Sequence, residues 1–182
     1  MKSKCTSHLA GIILLAVVAC GAVFLVCKGD IGVPKSRLEQ DLRSSQHIPD
    51  NWTVVGDVTE QAAVFLFYPP EQTTYGVTVY RNEPGLSFGY FFRGSHTVAG
   101  IHGTTEDFPV EVEKIPLDGT DLIAYVSLNT AGIQRVEQND GNTVEVLSLN
   151  GQAPFVLLLQ NAGEVTFYDG NGTVVETQTR GI

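Results

Sequence analysis

The chain has 182 residues and a net charge of −9, with eleven Lys and Arg against twenty Asp and Glu. That length leaves room for one domain beyond a leader or anchor, and the domain can bury a core without staples. So few cations cannot neutralise a run of phosphates, so nucleic acid is not an expected partner.

Charge divides along the chain. Residues 1–47 hold six basic and three acidic residues, and residues 48–182 hold five and seventeen. The acidic part should be soluble and should stand off anionic lipid headgroups. All three cysteines, Cys5, Cys20 and Cys27, lie in or just before one apolar run. The rest of the chain must therefore be held by packing alone. Outside the cytoplasm, that fits Gram-positive bacterial export better than a eukaryotic secretory route.

Residues 1–8 form a short head with Lys2 and Lys4, expected on the cytoplasmic side. Residues 9–27 follow without a charge. As a helix at ~1.5 Å per residue they span roughly 28 Å, close to the hydrocarbon thickness of a bilayer. The expectation is one transmembrane helix or signal anchor. Within it, Val17-Val18-Ala19-Cys20 resembles the lipobox of bacterial lipoproteins, which implies lipidation at Cys20 as an alternative. The run stays apolar beyond that cysteine, where lipoproteins normally turn polar. Cleavage elsewhere is a third reading. Each places the following residues outside the cytoplasm, in a single-pass arrangement at the cell membrane.

Residues 28–50 read as a stalk or linker. Gly29, Gly32 and Pro34 break the first helix. A short helix over 36–43 is expected, with Ser36 and Glu39 at capping-box spacing and Leu38 and Leu42 forming an i,i+4 stripe.

From residue 51 the pattern has period two. Strands are expected at 52–58, 62–68, 75–81, 86–93, 97–102, 109–115, 121–128, 132–138, 143–149, 154–160, 164–168 and 173–177. Turn chemistry separates most of them, including Pro69-Pro70, Asp118-Gly119, Asn139-Asp140-Gly141-Asn142, Asn150-Gly151 and Asp169-Gly170-Asn171-Gly172. The segments 62–68 and 154–160 are apolar on both faces and read as central, doubly covered strands. Val110 and Val112 alternate with Glu111 and Glu113, which predicts one wet face. The fold class that follows is an all-β domain over 51–182. It is read as a β-sandwich of immunoglobulin-like architecture, with a barrel as the alternative.

Chemistry is sparse. His96 and His102, with Glu106 and Asp107 nearby, are the weak candidates for a metal, but no third ligand follows at a recurring zinc spacing. The Asp/Asn/Gly turns lack the converging carboxylates of a calcium loop. The domain has no cysteine and no G-x-S-x-G motif, so no catalytic residue is assigned and no cofactor is expected. Aromatic residues crowd the first half of the domain. Among them and their neighbours, Tyr80, Tyr90 and Arg93 are expected at a ligand or partner surface.

The expected function is a non-catalytic binding or interaction module of the cell envelope, held to the membrane through 9–27, with an envelope protein or glycan as partner. Two alternatives stand beside it. One is a hydrolase or metal-dependent enzyme using His96 and His102. The other is a homo-oligomeric structural component.

Overall fold

Residues 4–27, 31–82, 88–99 and 111–181 are described by the structure, a computed structural model. Helix α1 covers Lys4–Cys27. Its described side chains, at 12–24 and 26, are exposed on every side of the helix, Cys20 among them. Among the described residues, no helix is long and apolar enough to cross a membrane.

Pro34 starts a 3₁₀ turn at Lys35–Arg37, which runs into helix α2, Leu38–Ser45. Ser36 does not cap it, because the 3₁₀ turn moves the N-cap to Arg37, where no side-chain bond forms. An eight-residue helix is too short to persist alone. What holds α2 is its apolar stripe: Leu38 and Leu42 are fully buried against Ala63, Phe65, Phe67 and Tyr80. The chain ahead of it is also tied down. Val33 and Tyr90 exchange backbone hydrogen bonds at 2.8 Å, and the Gly32 N–H donates to the Phe88 carbonyl at 2.7 Å. The segment expected to be a stalk is therefore packed onto the domain from Ile31 onward.

Twelve strands follow among the described residues, and the all-β expectation holds. They are β1 Thr53–Val58, β2 Ala62–Tyr68, β3 Thr74–Asn82, β4 Tyr90–Ala99, β5 Val112–Pro116, β6 Leu122–Ser127, β7 Ile133–Asn139, β8 Val144–Ser148, β9 Phe155–Gln160, β10 Glu164–Asp169, β11 Val174–Val175 and β12 Thr177–Thr179. They form three four-stranded sheets, each open among the described residues. Sheet I has the order β1-β2-β3-β4, sheet II β12-β5-β6-β9 and sheet III β11-β10-β7-β8. Every ladder is antiparallel except β12 on β5, which is parallel.

The layers stack as α2, sheet I, sheet II, sheet III. Val64, Leu66 and Val77 of sheet I meet Ile115, Ala124 and Val126 of sheet II. Ile123, Tyr125 and Phe155, on the other face of sheet II, meet Val136 and Phe167 of sheet III. An immunoglobulin-like plan has two sheets. Here a third sheet and a helix lie outside the first pair. This stacking explains why β2 is apolar on both faces: one faces α2 and the other faces sheet II. Strand β9 is likewise covered on both sides, yet it sits at the end of its sheet rather than in the middle. Its exposed edge is blunted by Asp57 of β1, whose carboxylate accepts the Leu158 N–H at 2.8 Å.

Two expected strands, 86–93 and 97–102, are one strand over the part the structure describes. Gly94 and Ser95 look like a break in sequence but continue the ladder opposite Val79 and Thr78. The Thr78 hydroxyl donates to Ser95 Oγ at 2.9 Å. A bulge follows, because Val79 pairs with Gly94 and Tyr80 with Phe92, leaving Arg93 as the extra residue. Elsewhere in sheet I, Gly56 lies opposite Phe65, and Gly76 opposite Phe67. A Cβ at Gly76 would sit 2.2 Å from the Phe67 ring, so the aromatic occupies the space a side chain would need.

Candidate functional site

Alternation along three strands sets the interior site. Tyr75 on β3 and His96 on β4 point from sheet I toward sheet II, as Val77 does. Glu113 on β5 points back at them, on the same side as Ile115. The expectation of a wet face through Glu113 is overturned, because its side chain has no exposure. A buried carboxylate is tolerated only when its lone pairs are used. Here the Tyr75 hydroxyl donates to Oε1 at 2.6 Å, His96 Nε2 lies 2.8 Å from Oε2, and Arg180 Nε lies 3.3 Å from Oε1. Arg180 follows β12 and is fixed by its own N–H, which donates to the Lys114 carbonyl at 2.9 Å.

The electrostatics follow from that geometry. Burial pushes the Glu113 carboxyl up, but hydrogen bonds from His96 and Tyr75, and the charges of His96 and Arg180, outweigh it. The net result lies below the ordinary carboxylate value. Tyr75 is pushed far up, by burial first and then by its bond to the Glu113 carboxylate. An imidazole bonded to a carboxylate is half of a nucleophile-activating arrangement. The other half is missing among the described residues, because His96 Nδ1 is buried with no hydrogen-bond partner there. The carboxylate is committed to two hydrogen-bond partners and one cation, and ties the two sheets to the β12 segment. His102, Glu106 and Asp107 lie outside the described residues. Among the described residues, no group of three or more His, Cys, Asp or Glu could hold a metal.

Tyr80, Tyr90 and Arg93 do not form one surface. Tyr80 has no exposure and Tyr90 only 6%. Both rings belong to the cluster under α2. The Tyr80 hydroxyl donates to Asp41 Oδ2 at 2.8 Å, and that of Tyr90 to the Thr59 carbonyl at 2.6 Å. Burial, then the Asp41 bond, pushes the Tyr80 hydroxyl up to about 12. Both residues border an open groove of ≈ 650 Å³ between α2 and β4, together with Pro34, Arg37 and Phe92. The bulge turns Arg93 away from them. It lines a smaller recess of ≈ 190 Å³ with Arg81, Val79, Leu117 and Thr120.

The two Asp/Asn/Gly segments are hairpin turns. Asp140 accepts the Asn142 and Thr143 N–H groups, and Asp169 those of Asn171 and Thr173. These bonds hold both carboxyls below their ordinary value.

A fourth feature is the outer face of sheet III, which no layer covers among the described residues. Val136 and Phe167 point inward, so Arg135, Glu137 and Tyr168 point out. The Arg135 guanidinium lies 4.2 Å above the Tyr168 ring. The Tyr168 hydroxyl donates to Glu137 Oε2 at 3.1 Å, and Arg135 Nε is 3.4 Å from Glu137 Oε1. Val144, Val146 and Val174 share this face and are each more than half exposed. Sequence reasoning passed over this face. The signal was available: β7 and β8 alternate, and their polar sides contain Arg opposite Ser and Glu opposite Val.

Asn129 was also passed over. It is buried with a φ of 59°. Its amide nitrogen donates to the carbonyls of Ile133, Asn150 and Ala153, and its Oδ1 accepts the Ile133 N–H at 2.6 Å.

No family model, curated protein or solved structure matches the chain.

Proposed function

We propose that this chain is a membrane-tethered, extracytoplasmic binding module of sandwich type that performs no catalysis and recognises a protein of the cell envelope. The tether is the charge-free run of 9–27, in which the described apolar side chains, at 12–24 and 26, are exposed around α1 rather than forming one stripe. A helix apolar all round suits lipid better than water. The packing of sheet I on II and of II on III supports the sandwich reading.

The observation that carries the binding reading is the outer face of sheet III. A Tyr, an Arg and three exposed Val side chains share a sheet face that no layer covers among the described residues. Tyr and Arg are among the side chains that most often anchor protein interfaces: Tyr buries large area at low rotamer cost, and Arg supplies a planar fork of donors. Arg135 already rests on the Tyr168 ring, so both are partly pre-ordered. A sugar ring would need the aromatic face that Arg135 covers, which favours a protein partner. The enzyme reading has less support, since the one buried acid–imidazole pair has no described nucleophile.

The test is site-specific photocrosslinking in the full chain, in native membranes, with p-benzoylphenylalanine at Val146. An adduct with one other protein, lost on Arg135→Ala with Tyr168→Ala, is the expected result. An adduct at twice the chain's own mass would replace this reading with homo-oligomer formation. No adduct, from a chain that is present and folded, would refute it.

A further inference from the structure

Only five Lys and Arg occur after residue 47, and two of them, Arg81 and Arg93, line the same recess. The recess lies between β3, β4 and the turn joining β5 to β6. We propose that it binds a small aliphatic carboxylate, with Arg81 as the principal anchor.

Arg81 alternates with Tyr80 on β3, so it leaves the α2 side and faces sheet II. There the tip of the β5–β6 hairpin meets it. The Leu117 carbonyl accepts both the N–H and the hydroxyl of Thr120, closing the turn. Arg81 Nη1 donates to the Asp118 carbonyl at 2.8 Å. Gly119 sits at a φ of +72°, and a Cβ there would lie 2.5 Å from Arg81 Nη1. The turn is therefore shaped around the guanidinium and holds it in place.

A guanidinium has five N–H donors. Among the described residues, the Asp118 carbonyl is the one hydrogen-bond acceptor for this side chain. A partly buried cation with spare donors in a fixed fork is suited to accept a carboxylate bidentately. The bulge at Arg93 delivers the second cation. The exposed Asp118 carboxylate also borders the recess, and the anchoring role rests on the spare donors of Arg81.

The remaining walls choose the rest of the ligand. Ala62, Val79, Pro116 and Leu117 are aliphatic, which disfavours a bare, fully hydrated anion such as phosphate. At ≈ 190 Å³ the recess is below the ~300–1,000 Å³ of drug-sized sites, so it takes a small acid or the last residue of a peptide. Both sources offer the same group, a carboxylate on a short branched chain.

The experiment is a ¹H–¹⁵N titration of the full chain in detergent micelles, read at the amides of Val79, Arg81, Gly119 and Thr120. The probes are isovalerate, N-acetyl-Gly-Val, isovaleramide and inorganic phosphate. Isovalerate, the dipeptide acid or both are expected to give saturable shifts. Isovalerate alone identifies a free acid as the ligand, and the dipeptide alone identifies a peptide C-terminus. Arg81→Gln should weaken binding about tenfold or more, the loss expected for a charge-assisted pair. Gly119→Ala should weaken it by displacing the guanidinium, while Glu71→Gln in the exposed β2–β3 turn should leave it unchanged. Unperturbed spectra away from the recess would show that each variant is folded. The proposal is overturned by no saturable shift with either acid, by equal binding of isovaleramide or phosphate, or by a folded Arg81→Gln chain that binds as before.

Discussion

Replacing Glu113 with Gln is the sharpest test of the interior. The substitution keeps volume and removes the charge. Arg180 then faces a neutral amide, and one of the two acceptor positions becomes an NH₂ donor aimed at groups that also donate. The Tyr75 hydroxyl can turn to accept. His96 can accept at Nε2 only by moving its proton to Nδ1, which is buried without a described partner. Breaking a buried, hydrogen-bonded ion pair costs about 3–5 kcal/mol, and the retained amide oxygen recovers part of that, so about 2–4 kcal/mol should be lost near pH 7.

The pH dependence has a definite sign. The folded carboxyl of Glu113 lies below its ordinary value of 4.5. Its stabilisation is therefore present above that value and disappears as pH falls through the folded one. Urea unfolding of both full chains in the same detergent, followed at about pH 7 and about pH 3, should show a difference that shrinks markedly in acid. A difference under about 1 kcal/mol at pH 7, or one equal at both pH values, would refute the account of Glu113 as an ionised tie between sheets I and II.

Three further outcomes follow from packing. Leu42→Ala should cost about 2–5 kcal/mol and release α2, seen as a red shift in emission from Trp52, which packs in the same cluster. Asn129→Ala should cost about 3 kcal/mol or more in chemical denaturation, because three carbonyls and one N–H lose their partner and Ala is strained at positive φ. Asn129→Gly, which relieves only the strain, should recover about 1 kcal/mol of that. Gly76→Ala should cost about 1–3 kcal/mol by forcing the Phe67 ring aside, measurable as a lowered Tm.

Most strands were legible because period two and turn residues are local signals. What decides the site is not local. Glu113 sits in a strand whose sequence looks half-wet, since Glu111 and Glu113 alternate with Val. Its partners Tyr75, His96 and Arg180 are far away along the chain, and nothing in the immediate sequence separates it from Glu111. Only Glu111 matches the simple reading, with its carboxylate accepting from Thr130 and the Ala131 N–H at the surface. The doubly apolar β2 and β9 signalled cover on both faces. They could not say that the cover on one side of β2 is a helix, or that β9 ends its sheet. Tyr80 and Tyr90 show the same limit. An aromatic with a polar tip suits an interface or a core, and here Asp41 and the Thr59 carbonyl satisfy the hydroxyls inside.

The docking of the segment after α1 fixes how far the domain can travel. Were 28–50 a free tether, the chain could extend about 80 Å from the end of α1. With Gly32 and Val33 bonded to β4 and α2 packed on sheet I, only residues 28–31 separate α1 from the first bonded residue, a reach of about 17 Å. With α1 seated in a bilayer, as proposed, the domain cannot search the space above the membrane. Its partner must come to it, and the two would meet at a nearly constant height, in an encounter confined to two dimensions.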